Sequence, residues 1–220
     1  SAWPCSTGAM SSLSPHPAAP ASGLLNQARQ QLVQGLSAEL PALAAQLAAF
    51  FERLTHQSGA LSESQGRQAA WQRYRQQQTA WTQACCAALL SALAASSLPA
   101  RNALPRDGAF ELLSDEVIEN QIQAARLALA ASELTGSSIE ALRLRSQWLQ
   151  QQELAADDLL RPETFCQLLV EQWLAAGLLR TDLQVLTDPL QTALGELLKK
   201  HYAALHLLYD RHGVPASKEL

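Results

Sequence analysis

A chain of 220 residues is one large domain or two small ones, and at 48% hydrophobic it can close a core without a metal or a disulfide. Its net charge of −4, with the basic residues scattered, argues against a phosphate-tracking surface and makes nucleic acid an unexpected partner. Only 5% of residues are aromatic and 16% charged, so the apolar share is mostly Leu and Ala, which favours helices packed through aliphatic side chains.

Residues 1–22 are rich in Ser, Pro, Gly and Ala, and Pro4, Pro15, Pro17 and Pro20 oppose helix, which predicts a disordered leader. Gly8-Ala9-Met10 resembles a cloning scar, so residues 1–9 are expected to be foreign to the natural chain and Met10 its start. The cysteines stand at 5, 85, 86 and 166. Neighbours such as Cys85 and Cys86 rarely pair with each other, which points to a reducing compartment. The leader lacks the apolar centre of a signal peptide, and no segment reads as the run of about 20 apolar residues that a bilayer span needs. The cytoplasm is the expected location.

From residue 24 onward, apolar residues recur at helical spacing and no stretch reads as a strand. Leu24, Leu25, Ala28, Leu32, Val33 and Leu36 form the first stripe, and Ser37 followed by Pro41 predicts a break or kink. The next helix runs to about Gln57, with Leu43, Leu47, Phe50, Phe51 and Leu54 on its apolar face and Ser58-Gly59 as a stop. A long helix from Ser62 or Ser64 to about Ser96 presents Trp71, Tyr74, Gln78, Trp81, Cys85, Ala88, Leu89 and Ala92 on one side and is expected to be the spine.

Residues 99–109, with two prolines, read as a linker between an N-terminal part (23–98) and a C-terminal part (110–214) packed on it. The second half restarts at Phe110, with Ser114 as cap and Asp115-Glu116 in the first turn. Ile118, Ile122, Ala125 and Leu129 then repeat at spacings of four, three and four, and Gly136 ends that helix. Ser137-Ser138-Ile139-Glu140 reads as a capping box opening a helix that buries Leu142 and Trp148. Arg161-Pro162-Glu163 starts another, with Phe165, Leu169, Val170 and Trp173 inward and Gly177 as stop. After a short element at 182–187, Asp188-Pro189 opens the last helix, which runs to Gly213. The expected fold is all-α: a bundle of about seven helices around one long central helix, without a β-sheet.

Chemistry-bearing patterns are few. His201, His206 and His212 are five and six apart, whereas ligands on one helical face need three or four. Cys85-Cys86 has no zinc or redox spacing, and Asp157-Asp158 and Asp115-Glu116 are explained by helix starts before acid/base work. No phosphate-loop, nucleophile-elbow or zinc-protease motif occurs, so neither catalysis, a metal nor a cofactor is expected. Trp71, Tyr74 and Trp81, interleaved with Arg67, Arg73 and Arg75, fit either one core face or an exposed recognition stripe.

Ala49-Phe50-Phe51-Glu52-Arg53, Ala70-Trp71-Gln72-Arg73-Tyr74-Arg75, the run Phe110–Glu119 and the run Asp158–Phe165 resemble the bacterial DUF1631 family. The resemblance extends over roughly residues 24–215, and its best motifs, Phe-Glu-Leu-x-Ser-Asp-Glu-Val and Leu-Arg-Pro-Glu, lie at helix starts. It implies similarity to the amino-terminal portion of longer proteobacterial proteins of unassigned function, and it carries over no catalytic residues.

Two functions fit this reading. One is a non-enzymatic helical scaffold or adaptor, in signalling or regulation, that binds a protein partner or its own copy. The other is a regulatory domain for a small ligand or nucleotide, with Arg143, Arg145, Arg161 and Arg180 as anion contacts.

Overall fold

A computed structural model describes residues 20–96 and 115–216, which form seven helices with no strand among the described residues. These are α1 (Pro20–Thr55), α2 (Leu61–Ser96), α3 (Asp115–Thr135), α4 (Ser137–Gln150), α5 (Pro162–Ala175), α6 (Arg180–Val185) and α7 (Thr187–Arg211). The all-α expectation holds. The expected leader up to residue 19, the linker at 99–109 and the restart at Phe110 lie outside the described residues; residues 20–22, read as leader, belong to α1.

Two of the expected helices are one. α1 continues through Pro41, so the break expected between Ser37 and Pro41 does not occur. Proline has no N–H to give the carbonyl four residues back, which is that of Ser37. The Cys86 thiol of α2 donates to the Ser37 oxygen instead, at 3.7 Å. A neighbouring helix thus compensates for the defect, and leucines on both sides of the proline, from Leu32 to Leu47, stay in one buried row. α1 and α2 are both 36 residues long, so the spine is a pair of helices and not a single rod.

The helices close a ring: α1 packs on α2, α2 on α5, α5 on α3, α3 on α7 and α7 back on α1, while α4 lies against α1 and α7. The seam of α1, α2 and α5 holds the large rings. Tyr74 lies 5.1 Å from Phe51, 6.3 Å from Trp81 and 5.6 Å from Trp173 between centroids, and Trp81 meets Trp173 edge-on at 5.3 Å. Each polar tip has a backbone acceptor: Tyr74 Oη donates to Ala44 (2.9 Å), Trp81 Nε1 to Leu169 (3.3 Å) and Trp173 Nε1 to Leu179 (2.9 Å). Buried aromatic rings contribute most when their polar edge is satisfied in this way.

On the other side, α3 and α7 approach through small residues. The buried face of α3 is Gln123, Ala124, Leu127, Ala128, Ala131 and Thr135, and Gly195 of α7 leaves room for Leu134. The repeat that the sequence shows on α3 therefore faces outward: Ile118, Ile122, Ala125 and Leu129 are exposed. The alanine face permits a closer approach of two backbones than isoleucine and leucine would, and it takes the inside.

Local signals hold in part. Gly136 ends α3 at φ 60°, a left-handed conformation that glycine adopts without steric cost, and Pro162 occupies the first turn of α5. The capping box is corrected: Gly136 is the N-cap of α4 and no side chain caps it, while Glu140 accepts from Arg143 instead. Trp148 is half-buried and Leu149 takes the inner position.

Ion pairs connect distant segments, and one of them is nearly buried. Arg29 of α1 reaches Asp158 in the α4–α5 loop at 2.6 Å, with side chains 11% and 4% exposed. Asp158 also accepts from the Leu160 amide (2.9 Å), and its carbonyl accepts from Thr164 (2.8 Å). A buried carboxylate needs such a set of donors to offset its lost hydration. Asp158 is thus an anchor for α1 and α5, and its neighbour Asp157 points to solvent.

α2 is long and apolar enough to cross a membrane by length and composition, with mean hydropathy 1.2 over an 18-residue window of which 17% is buried. The expectation that no segment is apolar enough for a span is corrected to that extent. Here the helix packs against α1 and α5 and supplies Tyr74, Trp81, Cys85 and Leu89 to the core.

Candidate functional site

The candidate recognition stripe on α2 splits between core and surface. Tyr74 and Trp81 are buried in the aromatic seam and are corrected from stripe to core. Trp71 is half-buried, stacked at 6.4 Å on Phe51 and covered by the Arg75 guanidinium at 5.5 Å. Arg73 is turned to Asp182 of α6 through a two-pronged bond of 2.8 and 2.9 Å, and that hydrogen bonding raises its pKa further. Arg67 donates to the Gln57 carbonyl (2.8 Å) and so fastens the α1–α2 turn. Arg67, Trp71, Arg73, Tyr74 and Trp81 tie α2 to its neighbours, Arg75 lies over Trp71 of the same helix, and the six do not form a contiguous exposed patch.

The four candidate anion contacts are each engaged by the chain itself, and the structure does not bring them together. Arg143 bonds Glu140 (2.5 and 2.9 Å) and lies 3.5 Å from Glu153. Arg145 is buried, donating to Asp210 (2.7 Å) and to the Val214 carbonyl (2.8 Å), with its guanidinium over the Tyr209 ring. Arg161 sits 3.7 Å from Glu163. Arg180 bonds Glu119, Asn120 and the Glu116 carbonyl, tying α6 to the first turns of α3.

The thiols are no more available for chemistry. Burial pushes Cys85 and Cys166 up to about 12, which keeps both as neutral thiols at physiological pH. Among the described residues no three His, Cys, Asp or Glu side chains gather as a metal set. His206 instead bridges α4 and α7 between Arg145 and the Ser138 carbonyl.

Two surface features remain. One is an open groove of about 890 Å³ between α1 and α7, floored by Leu43, Leu47, Phe50 and Leu197 and bordered by Glu39, Arg53, Glu196 and Lys200. At its end Lys200 donates to Glu39 at 2.5 Å and so holds that carboxyl below its ordinary range. His201 lies 3.2 Å from the same Glu39, but burial outweighs the nearby charge and lowers its pKa.

The other feature is the outer side of α3, where Ile118, Ile122 and Leu129 are 42%, 47% and 64% exposed and Ala125 is also exposed. Their 4-3-4 spacing lies opposite the alanine face, so α3 is apolar on two sides. Scattered exposed apolar residues are ordinary, but an ordered row along one helix is the kind of patch that marks an interaction surface.

The family model described as protein of unknown function (DUF1631) N-terminal domain matches residues 20–213. The chain belongs to the DUF1631 family. No curated protein and no solved structure matches it. The Asp158–Phe165 run that carried the sequence resemblance is the Arg29 anchor and the start of α5, and the Leu160 carbonyl accepts from Tyr202 of α7 (3.1 Å). In this DUF1631 domain, then, that motif joins α1, α5 and α7. The outer row of α3 was missed as a surface because periodicity reports that a stripe exists and not which way it faces. The signal available was the second stripe, Ala124, Ala128 and Ala131, together with Gly195 on the helix it meets.

Proposed function

We propose that this DUF1631 domain is a non-enzymatic helical interaction module, a scaffold or adaptor that engages protein through the outer face of α3 and works in the cytoplasm. The observation that carries the reading is that α3 packs its alanines and turns its isoleucines and Leu129 outward. A fold that needed those side chains for stability would bury them, since each isoleucine or leucine contributes about 1.5–3 kcal/mol when removed from water. Their exposure is explained by a partner that covers them. The four arginines of the ligand reading are already satisfied by the chain's own groups, which favours the protein-binding reading over a nucleotide site. The unpaired Cys85, Cys86 and Cys166 support a reducing location, and the packing of α2 into the core supports its reading as a bundle helix.

The test is capture of proteins from the native host on the wild-type domain and on the Ile118→Asp/Ile122→Asp/Leu129→Asp variant. Proteins held by the wild type and lost by the variant are the expected result. Equal recovery on both, together with a thermal shift on adding nucleotides, would overturn the reading in favour of a ligand-binding domain.

A further inference from the structure

We infer that the outer face of α3 is built to pair with a second copy of itself, antiparallel, about a two-fold axis crossing the helix between Ile122 and Ala125. This rests on the interaction reading above and names the occupant of that face. Residues spaced 4-3-4 form the seam along which two helices interlock. The row Ile118, Ile122, Ala125, Leu129 reads 4-3-4 from either end, so it superimposes on itself when the helix is reversed. In that register Ile118 layers against the partner's Leu129, and Ile122 against the partner's Ala125, each contact occurring twice. The small Ala125 beside the axis lets the two backbones approach.

The charges along the row select this orientation. Glu119 and Arg126 lie one heptad apart on the same border of the stripe, both exposed, and in the antiparallel register each comes opposite the other in the second copy. Arg126 has no ion-pair partner among the described residues, and Glu119 meets Arg180 through one carboxylate oxygen, leaving the other free. A parallel pair would set the same two charges against the border that carries Gln121 and the buried Ala128, where neither finds an opposite sign. An isologous interface must be complementary to itself, and this face satisfies that in shape, spacing and charge.

α3 is 21 residues, about 31 Å long, so one helix pair is at the small end of specific interfaces and the dimer is expected to be concentration-dependent. Sedimentation velocity over a concentration series on the full chain tests it. The wild type should pass from monomer to dimer as concentration rises, and Ile122→Asp/Leu129→Asp should weaken the dimer about a hundredfold or more, because both copies lose both contacts. Arg126→Glu places like charges opposite each other twice and should weaken it about tenfold. Adding Glu119→Lys to Arg126→Glu should restore it, since Arg180 keeps Asn120 and the Glu116 carbonyl.

A wild type that stays monomeric at every concentration overturns the inference. So does a dimer indifferent to these substitutions, or one weakened by Arg126→Glu without rescue. If the chain stays monomeric yet the host capture still depends on the three apolar residues, the interaction reading stands and the self-pairing alone fails.

Discussion

The seam of α1, α2 and α5 and the seam of α3 and α7 are closed by opposite means. In the first, Phe51, Tyr74, Trp81 and Trp173 fill the space between helices, and each hydroxyl or indole N–H reaches a backbone carbonyl. In the second, alanines and Gly195 bring the helices close, and Ile118, Ile122 and Leu129 of α3 are left outside. Large rings commit a helix face to the fold. Small residues close an interface with less side chain, which frees the opposite face of the same helix for another use.

Substitutions at the two seams sharpen this contrast. The largest effect is expected from Trp173→Ala, which empties the centre of the ring cluster and should cost about 3–5 kcal/mol in chemical denaturation. Gly195→Ala comes next. Its new Cβ would stand 2.8 Å from the Leu134 Cβ, an atom fixed to the backbone, so α3 must move away, at about 1–3 kcal/mol in the same measurement. A neutral Gly195→Ala would show that the α3–α7 approach is looser than described.

A smaller effect is expected from pH at the α1–α7 seam. His201 lies against Gly35, beside Lys200 and facing Glu39 of α1, and burial holds its pKa below the ordinary 6.5. Because the folded chain binds this proton less readily than the unfolded one, its contribution to stability is complete above about pH 6.5 and is lost as pH falls toward the lower folded value. Glu39, also lowered, loses its contribution only below its ordinary value of 4.5, so the two windows are separate. The melting temperature of the wild type should fall between pH 7 and 5.5, and that of His201→Gln should fall less over the same interval.

What the chain made legible follows from range. Local signals acting over a turn or two were readable: the stop at Gly136, the proline start of α5, the stop at Gly177 and the inward Phe165, Leu169, Val170 and Trp173. Pro41 was misread because its effect is decided by Cys86 on another helix, which takes up the Ser37 carbonyl. Arg29 and Asp158, 129 residues apart, and Arg73 and Asp182, 109 apart, carry no sequence mark of their pairing. Tyr74 and Trp81 fit a core face first and a recognition stripe second, and their burial against α5 is the core outcome. On α3 both stripes are apolar, so periodicity alone does not say which of them packs inward. Size of side chain, not hydrophobicity alone, determined which one met α7.

The outward row of α3 is tested most directly by the unfolding free energy of Ile118→Asp/Ile122→Asp/Leu129→Asp in denaturant at low protein concentration, where the monomer prevails. Surface substitutions away from the core change stability by only about 0.5 kcal/mol each, and that small change is the predicted result. A loss of several kcal/mol, of the size expected for Trp173→Ala, would mean that these side chains are part of the core and would contradict the assignment of this face to a partner.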